Sequence, residues 1–422
     1  MKIAIVNKSD ATGGAAVVSR RLMEALRSVG EDARMLVVEK LTDSPYVEIA
    51  ATPASIKKSF VSERLKIFLS NGLDRTTLFR IDTASDGLPL WRHPVIMEAD
   101  AVLLNWVNQG MLSLDGIRKI LETGKPVIWT MHDMWCMTGV CHHSGSCPGY
   151  ERRCEDCPLL KKRGAVGSLS GKIWKKKQKL YSLPQNIKFV AVSNWLRDKG
   201  VGSTLLSNQD ISVIPNAFLP LGRNVNRQPK RKDDKITVGF GAARLDDPIK
   251  CLPVLVEMTR VVRDRYPELA DRLEIVTFGG VKNPETLEGM GVSHRHLGVI
   301  KGEEAVRKVY DSADIIVSSS SYETLPGTLV EAQAYGCLPV CFDRGGQSDI
   351  VDHLSTGYIA GYSEDREVAA TRLAEGVVWA AGKVDAADEM EDLRHKMRDD
   401  VNRKFSPEAV AGRYLDLIRS HF

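Results

Sequence analysis

The chain has 422 residues, which is more than one ordinary domain holds and suits two or three domains. Its 43% hydrophobic and 27% charged residues are typical of a globular protein and exclude collagen-like and low-complexity chains. No apolar run approaches the roughly 18 residues of a membrane-spanning helix, and a net charge of +4 does not by itself imply nucleic-acid binding. The first residues lack a signal-peptide cleavage site, so we interpret them as a buried strand and expect a cytoplasmic protein.

Two strand–loop–helix patterns open the two halves of the chain. The first runs from KIAIVN through SDATGGAA into VVSRRLMEALRSVG, and the second runs from KITVGF through GAARLDDPIK into CLPVLVEMTRVVRDRY. Further apolar stretches predict the strands AVLLNW, PVIWTMH and FVAVSN in the first half and LEIVTFGG, ADIIVSSS and LPVCFD in the second. Continuous apolar strands alternating with helices indicate α/β domains with parallel sheets that are covered on both faces.

The remaining segments set the predicted domain limits. The polar, basic segment within 216–235 is typical of a linker, which gives domains at 1–220 and 235–405. The last segment, 406–422, is an amphipathic helix whose Ser406 and Pro407 suit a helix start. Within 41–100, SIKKSFVSERLKIFLSNGL favours a helix, whereas TTLFRIDTASDGLPLW looks irregular.

Basic residues crowd one stretch of the first half. They are Arg152, Arg153, Lys161, Lys162, Arg163, Lys172, Lys175, Lys176, Lys177 and Lys179. One interpretation is a solvated helix face. The other is a surface that meets anionic lipid headgroups, making peripheral contact with a membrane. Few aromatic residues are interleaved with these charges, so we expect no nucleic-acid partner.

Five of the eight cysteines lie between Cys136 and Cys157. Structural disulfides are not expected in a cytoplasmic protein. One interpretation is a structural zinc site that closes a long loop. Its ligands would be Cys141, Cys147, Cys154 and Cys157, with Cys136, His142 and His143 as alternatives. The other interpretation is a set of reduced thiols packed in the loop.

Two glutamates, Glu323 and Glu331, follow the predicted strand ADIIVSSS. Glu323 lies in a loop at the carboxyl end of that strand, where open α/β sheets bind ligands, and Glu331 lies in the helix that begins after the loop. The backbone N–H groups of Leu325, Gly327 and Thr328 can point at an anion or at sugar hydroxyls. A surface helix with two unrelated acids is the plainer alternative.

The loops after the first strand of each half carry further candidate residues. Arg244 and Lys250 would lie at the same sheet edge as Glu323, where two cations suit a diphosphate leaving group. Gly13 and Gly14 permit close approach of the backbone to a phosphate or sugar. Two exposed basic residues and an ordinary turn are the alternatives. A nicotinamide-binding fingerprint is disfavoured because Arg244 occupies the position of its third glycine.

Taken together, these motifs resemble the family 4 retaining glycosyltransferases of the GT-B fold. The Gly345-Gly346 turn and the IPN turn at Pro215-Asn216 fit the same pattern. The resemblance implies two Rossmann-like domains facing across a cleft, with the terminal helix crossing back to the N-terminal domain. The block WTMHDMWCMTGVCHHSGSCPGYERRCEDCP is similar to a subgroup that acts in capsular, colanic-acid-like and other exopolysaccharide assembly.

The resemblance implies a role for each candidate residue. Arg244 and Lys250 would hold the donor diphosphate, and Glu331 would bind the nucleotide ribose. Glu323 and the loop amides would hold the donor sugar. The remaining donor-site residues would be Gly13, Gly14, Gly298 and His132, with Asp133 orienting the His132 ring or touching the acceptor. Family members usually have Gly-Phe-Gly after the first glutamate, whereas this chain has Thr324-Leu325-Pro326, which puts the identity of the donor in doubt.

The implied reaction is sugar transfer from a nucleotide-diphosphate donor to a saccharide, often lipid-linked, acceptor. The segment 41–100 would be an insertion near that acceptor. No cofactor is expected to be required for catalysis, because cationic side chains would neutralise the leaving group. Three alternatives remain: a sugar-phosphate enzyme such as a phosphorylase or epimerase, a non-catalytic binding protein, and a zinc- or redox-regulated protein built around the cysteines.

Overall fold

The computed structural model describes residues 1–161, 168–183, 186–218, 230 and 233–421. The chain divides into two compact units. Unit 1 comprises Met1–Ala217 and Pro407–Phe422, and unit 2 comprises Phe218–Ser406. Most of the predicted linker, together with Lys162 and Arg163 of the basic stretch, lies outside the described residues.

Unit 1 is built on a parallel sheet. Its strands are β1 (Lys2–Val6), β2 (Asp32–Val37), β3 (Val47–Ile49), β4 (Ala101–Leu104), β5 (Val127–Met131), β6 (Ile187–Ala191) and β7 (Ile211–Val213). Its helices include α1 (Gly14–Ser28), α2 (Pro53–Ser70), α3 (Pro94–Met97), α4 (Leu114–Leu121), α5 (Leu169–Tyr181) and α6 (Asn194–Val201). The strand order is β3-β2-β1-β4-β5-β6-β7. The order therefore reverses between β1 and β4, which is where doubly wound sheets bind ligands.

Unit 2 repeats this plan. Its strands are β8 (Ile236–Arg244), β9 (Leu273–Gly280), β10 (Ser293–His296), β11 (Ile315–Ser318), β12 (Leu338–Phe342) and β13 (Tyr358–Ala360). Its helices are α7 (Leu252–Arg265), α8 (Pro267–Ala270), α9 (Glu303–Ser312), α10 (Gly327–Ala334), α11 (Arg366–Asp385) and α12 (Ala387–Phe405). The strand order is β10-β9-β8-β11-β12-β13, with parallel pairing throughout. The order reverses between β8 and β11.

The central strands are apolar on both faces because helices cover both faces of each sheet. In β1, Ile3 and Ile5 belong to the same core cluster as Leu22 and Leu26 of α1. The intervening strand residue Ala4 is also fully buried. The continuous apolar pattern in the sequence therefore reports burial on two sides rather than one.

The last helix, α13 (Pro407–His421), completes the core of unit 1. Val410, Tyr414 and Ile418 recur at helical spacing and pack in the same cluster as β1. The hydroxyl of Tyr414 lies 2.9 Å from Oγ1 of Thr130 in β5, which gives this buried polar group a partner. The end of the chain is thus part of the fold of unit 1.

The predicted α/β architecture with two doubly wound parallel sheets is confirmed. The predicted helix within 41–100 forms α2. The segment after it forms turns over 71–80 and is irregular over 82–89, up to the short helical turn at Leu90–Arg92. The sequence analysis misses β2 and the edge strands β3, β7, β10 and β13. Asp32 and Arg34 interrupt the apolar pattern of β2. The edge strands are three or four residues long and only partly buried, so they carry little of the apolar pattern that marks the central strands.

Candidate functional site

The carboxyl edge of the unit 2 sheet brings together the loops in which the sequence places charged residues. The loop after β8 carries Arg244 and Lys250, and the loop after β11 carries Glu323. These strands are neighbours at the reversal of strand order. The N–H of Ser321 donates to the carbonyl of Ile249 at 2.8 Å, so the two loops are held against each other.

Lys250 and Glu323 form an ion pair in which the Lys250 ammonium contacts Oε1 of the carboxylate. The Ser320 hydroxyl donates to the same oxygen at 2.9 Å, and the Ser319 hydroxyl donates to the carbonyl of Lys250 at 2.7 Å. The side chains remain 28% and 20% exposed. Lys250, which is predicted to bind a diphosphate, is therefore paired here with Glu323, which is predicted to bind a sugar. Solvent can reach both side chains.

Arg244 is the last residue of β8, after a bulge that begins at Gly241. Its Nε lies 3.3 Å from the Asp246 carboxylate, and its side chain is 52% exposed. Lys250 ends the short turn that Asp247 caps by accepting a hydrogen bond from the backbone N–H two residues on, at 3.1 Å. The Arg244 guanidinium is therefore available to an anion at this edge, while Lys250 is carried on a defined turn.

The Gly345-Gly346 turn fixes the backbone of Glu323. The N–H of Gly346 donates to the Glu323 carbonyl at 2.8 Å, and the N–H of Glu323 donates to the carbonyl of Arg344 at 3.1 Å. Gly345 has φ +114°, and a Cβ there would lie 2.0 Å from the Glu323 carbonyl oxygen. Any other residue would push this loop away, which explains the need for glycine at this position.

Helix α10 starts beside this loop, with Pro326 as its N-cap and no side-chain cap. Its first two residues, Gly327 and Thr328, are predicted site residues, and the preceding Leu325 packs its side chain into the protein with 8% exposure. A Cβ on Gly327 would lie 2.9 Å from the Phe218 ring, so only glycine fits without moving that ring. The start of a helix favours an anion, because its first N–H groups point outward along the helix dipole.

Glu331 lies one turn into α10, as predicted, and is held by Tyr310 of α9. The Tyr310 hydroxyl donates to Oε2 of Glu331 at 2.9 Å. The Tyr310 ring is stacked on that of Tyr335, with centroids 5.2 Å apart. Burial, followed by the nearby carboxylate, raises the pKa of Tyr310 well above its ordinary value. Tyr310 therefore remains a hydrogen-bond donor and fixes the position of the carboxylate.

The predicted glycines lie in loops at the carboxyl edges of the two sheets. In unit 2, Gly298 follows β10, and its carbonyl accepts the N–H of Gly279 at 2.8 Å. In unit 1, Gly13 and Gly14 start α1 after the first strand, and a Cβ on either would meet nothing within 4 Å. Packing therefore does not require these glycines in unit 1.

His132 follows β5 in unit 1 and is held by Asn105, which follows the neighbouring strand β4. Its Nε2 lies 2.8 Å from Oδ1 of Asn105. Burial lowers the pKa of His132 to about 4, and the nearby Asp133 only partly opposes this shift. The ring is therefore neutral near pH 7. With Asn105 Oδ1 as acceptor, the proton lies on Nε2, and Nδ1 keeps a lone pair.

Asp133 does not orient the ring of His132, contrary to one of the two predicted roles. Its carboxylate accepts hydrogen bonds from Trp106 Nε1 at 2.8 Å and from the Trp135 N–H at 2.8 Å. Its third partner is His142, whose Nδ1 lies 2.7 Å away. The short sequence distance between Asp133 and His132 suggested a contact, but the chain turns after β5 and directs the carboxylate into a buried cluster.

His142 bridges two carboxylates, with Nδ1 on Asp133 and Nε2 at 2.7 Å from Asp82. Carboxylates only accept hydrogen bonds, so both ring nitrogens must carry protons. Burial alone would lower the pKa of His142, but Asp133 and Asp82 overcome that effect and raise it to about 10. His142 is therefore a largely buried imidazolium. The sequence reading named it only as an alternative metal ligand, because its second partner is sixty residues away.

Helix α2 supplies the rest of this cluster. Arg64 pairs with Asp82 and donates to the carbonyl of Leu78 at 2.6 Å. Glu63 is fully buried beside it and accepts the N–H of Thr83 at 3.2 Å. Burial, followed by the Asp82 charge, raises the pKa of Glu63. The segment that was hardest to interpret from sequence thus packs against the carboxyl edge of the unit 1 sheet and neutralises its charges.

The cysteine cluster contains only free thiols. Burial, followed by the neighbouring thiols, raises the pKa of Cys141 to about 12. Burial raises that of Cys154 to about 11. In the part of the chain that the structure describes, no three His, Cys, Asp or Glu side chains are grouped so as to hold a metal ion. His142, an alternative ligand, is engaged on both nitrogens. Zinc binding at Cys141, Cys147, Cys154 and Cys157 stays a prediction.

One member of the predicted basic surface is not on the surface. Lys177 of α5 is fully buried, and its ammonium donates to the carbonyls of Trp135 at 2.5 Å and Thr138 at 3.1 Å. Burial lowers its pKa to about 7. The exposed residues of α5 are Lys172, Lys175, Lys176, Gln178 and Lys179. Runs of lysine in the sequence do not show which one points inward, because a helix turns each successive residue by about 100°.

The comparisons with known proteins agree with the geometry of unit 2. Residues 230–375 match the model of the family described as glycosyl transferases group 1. The matched segment contains Arg244, Lys250, Glu323 and Glu331. It therefore includes the charged edge described above.

Relatives extend the similarity beyond that segment. The chain is 25% identical over 257 residues to the putative colanic acid biosynthesis glycosyl transferase WcaC of Escherichia coli, covering 58% of each chain. The matches to the curated relatives span 37% to 58% of those proteins' own lengths. Among solved structures, a glycosyltransferase from Rickettsia africae is 13% identical with a TM-score of 0.61, covering 99% of this chain and 98% of the other. Anabaena HepE, solved in complex with UDP and glucose, is 13% identical with a TM-score of 0.60 and full coverage of both chains. At this identity the structural matches show the shared GT-B fold.

Proposed function

We propose that this chain is a retaining, family 4 glycosyltransferase. It would move a sugar from a nucleotide-diphosphate donor to a saccharide acceptor, often lipid-linked, in surface polysaccharide assembly. The observation that supports this most directly is the ion pair between Lys250 and Glu323 at the switch point of the segment that matches the group 1 glycosyltransferase model, with Arg244 at the end of the neighbouring strand β8. Similarity to the colanic acid relative supports the polysaccharide pathway.

Each residue at the unit 2 edge would have a distinct role. Arg244 and Lys250 would neutralise the diphosphate as the glycosidic bond breaks, since fixed cations stabilise developing negative charge. Glu331, held by Tyr310, would accept hydrogen bonds from the ribose hydroxyls. Glu323 and the amides at the start of α10 would hold the donor sugar.

The ion pair between Lys250 and Glu323 suggests how the site distinguishes a donor from a free nucleotide. A donor phosphate would replace the Glu323 carboxylate on Lys250. The released carboxylate would then accept hydrogen bonds from the sugar hydroxyls. A nucleoside diphosphate without a sugar would break the same ion pair and leave Glu323 without its cation, so complete donors would gain more from binding.

In the retaining reaction the acceptor hydroxyl would form its bond to the anomeric carbon on the face from which the diphosphate departs. The hydroxyl proton would pass to the departing phosphate oxygen, so no side-chain nucleophile is needed. Neutral His132, with its lone pair on Nδ1, suits a hydrogen bond from a sugar hydroxyl rather than an ion pair with phosphate. Gly13, Gly14 and Gly298 would allow close approach to the donor.

Donor binding by calorimetry tests the proposal. The complex of the Anabaena neighbour makes UDP-sugars the first donors to measure, followed by GDP-, ADP- and TDP-sugars. We expect one nucleotide class to bind in the micromolar range and to lose binding in Lys250→Ala. Product analysis by NMR would then show retention of the anomeric configuration. Absence of binding to every donor would refute a donor site and favour a non-catalytic or redox-regulated protein.

A further inference from the structure

Helix α2 has two faces of different character. Its buried face carries Glu63, Arg64 and Ile67, which pack onto unit 1. On the opposite side, Val61, Leu65 and Leu69 are 49%, 52% and 59% exposed. Residues four apart lie in one row along a helix, so these three side chains form a continuous apolar row that faces away from the core.

Two further exposed apolar side chains follow the helix in the sequence. Leu73, just beyond the helix end, is 59% exposed, and Phe79 is 60% exposed. Phe79 lies beside the helix, because its ring stacks on that of Phe60 with centroids 6.4 Å apart. We call Val61, Leu65, Leu69, Leu73 and Phe79 the apolar row. Single exposed apolar residues are common on protein surfaces, but a contiguous row marks a surface that is covered by something.

The charges around the apolar row are almost all positive. Exposed basic residues lie on the same helix and in the segment that follows it: Lys57, Lys58, Lys66, Arg75 and Arg80. The acids within 53–80 are Glu63 and Asp74, and both are buried. Asp86 forms an ion pair with Lys66 at 2.8 Å and neutralises that one cation. The surface therefore combines apolar side chains with four further cations.

The surface lies next to the candidate site of unit 1. The Ser59 hydroxyl of α2 donates to the carbonyl of Gly110 at 2.6 Å, in the loop that follows β4. Arg64 on the same helix pairs with Asp82, which holds His142. The inner face of α2 is thus built into the carboxyl edge of the sheet, and a partner on its outer face would be held close to that edge.

We propose that the apolar row and its flanking cations dock onto the surface of an anionic lipid bilayer. The helix would lie in the plane of the interface, with the apolar row at the boundary between headgroups and acyl chains and the basic side chains on lipid phosphates. No helix in the described parts of the chain is long and apolar enough to cross a membrane. Membrane docking through this surface does not depend on the proposed sugar transfer.

The charge pattern favours a bilayer over a second copy of this chain. In a symmetric dimer the same patch faces itself, so Lys57 and Lys58 of one copy would approach the cations of the other. Like charges brought together in this way oppose association. An anionic bilayer instead supplies negative charge all along the cationic rim and apolar contact along the row.

Helix α5 provides a matched comparison within the same unit. Its exposed residues are four lysines and one glutamine, and its apolar side chains Ile173, Trp174 and Leu180 are buried. If charge alone caused membrane contact, α5 would bind as well as α2. If both apolar contact and charge are needed, only α2 would bind.

Vesicle flotation of the full chain separates these cases. We expect the protein to float with vesicles of equal parts phosphatidylglycerol and phosphatidylcholine, and not with phosphatidylcholine alone. Leu65→Gln with Leu69→Gln, which keeps good helix formers in place, should lower the partition coefficient at least tenfold. Lys57→Gln with Lys58→Gln should lower it several-fold and weaken its dependence on salt.

The controls make the result decisive. Replacing Lys172, Lys175, Lys176 and Lys179 by Gln on α5, or the 64% exposed Val299 by Gln in unit 2, should leave flotation unchanged. Unchanged melting temperatures would show that the α2 variants are folded. Flotation that persists in the double Leu variant, or is lost in the α5 variant, would overturn the proposal. A change in sedimentation mass without a change in flotation would assign the apolar row to self-association instead.

Discussion

The two sheets follow the same plan of strand order. The charged side chains at their carboxyl edges differ in how they are buried and paired. At the edge of unit 1, Asp82, Asp133, His142 and Arg64 are largely buried and paired with one another. At the edge of unit 2, Arg244, Lys250 and Glu323 are partly exposed, and Arg244 is 52% exposed. One edge is therefore organised before any ligand arrives, whereas the other has charges that can be redistributed onto a ligand.

A shared topology therefore does not give the two edges the same role. A buried charge that loses its partner is costly, so the cluster in unit 1 is expected to stabilise the fold and hold His132 nearby in a fixed setting. An exposed ion pair contributes little to stability because water screens it. The edge of unit 2 can therefore change partners at low cost, which suits a leaving-group site.

Among substitutions that test this contrast, replacement of His142 is expected to have the largest effect. In His142→Gln the two buried carboxylates lose their shared cation, so we expect a loss of about 3–5 kcal/mol in the free energy of unfolding. Urea unfolding measures it, with the exposed His395→Gln as control. A loss no larger than the control's would show that the cluster does not stabilise unit 1.

The pH dependence of that effect sharpens the prediction. The pKa of His142 rises from 6.5 to about 10 on folding. Its stabilisation is therefore present in full below pH 6.5 and is lost as the pH rises towards 10. The difference between wild type and His142→Gln should narrow over this range. A constant difference would mean that the imidazole acts through packing and not through its charge.

The next largest effect is expected on turnover, from a substitution in unit 2. Lys250→Ala should lower turnover by about 10²–10³-fold, since that is typical when one group that stabilises developing charge is removed. The free energy of unfolding should change little, because the ion pair with Glu323 is partly exposed. The exposed Lys301→Ala in the same unit is the control. Normal turnover in Lys250→Ala would exclude it from the leaving-group site.

Glu323→Gln should have effects of opposite sign on two ligands. Lys250 loses its carboxylate partner, so a nucleoside diphosphate without sugar should bind several-fold tighter, by about 1 kcal/mol. Sugar transfer should slow, because the carboxylate no longer accepts hydrogen bonds from the sugar. Calorimetry and turnover on the same sample check both signs. Weaker binding of the nucleotide would contradict the exchange of partners at Lys250.

The smallest effect is expected at Tyr310. In Tyr310→Phe the hydrogen bond to Glu331 is lost while the ring stack is kept, so donor affinity should fall by about 1 kcal/mol, or several-fold. Tyr335→Phe keeps the same stack without touching that hydrogen bond and serves as control. Equal effects of the two variants would show that the hydrogen bond between Tyr310 and Glu331 does not contribute to donor affinity.

Much of the architecture and of the unit 2 edge follows from the sequence. Apolar stretches of four to eight residues locate the central strands, because strands covered on both faces must be apolar throughout. Parallel strands all end at one edge, so residues that follow β8 and β11 can be assigned to the same edge before any contact is known. Arg244, Lys250 and Glu323 are assigned to one edge in this way, and the ion pair between Lys250 and Glu323 is consistent with that assignment.

The partners of each residue and the side that it faces follow from the tertiary structure alone. Asp82 and His142 are sixty residues apart, and no local pattern links them. Lys177 is buried among exposed lysines, and α2 turns Glu63 inward and Leu65 outward, contrary to their usual preferences. The physical reason is that the apolar pattern of a sequence reports only the average burial along the chain. Charge pairing and the coverage of a face depend on which distant segments pack there.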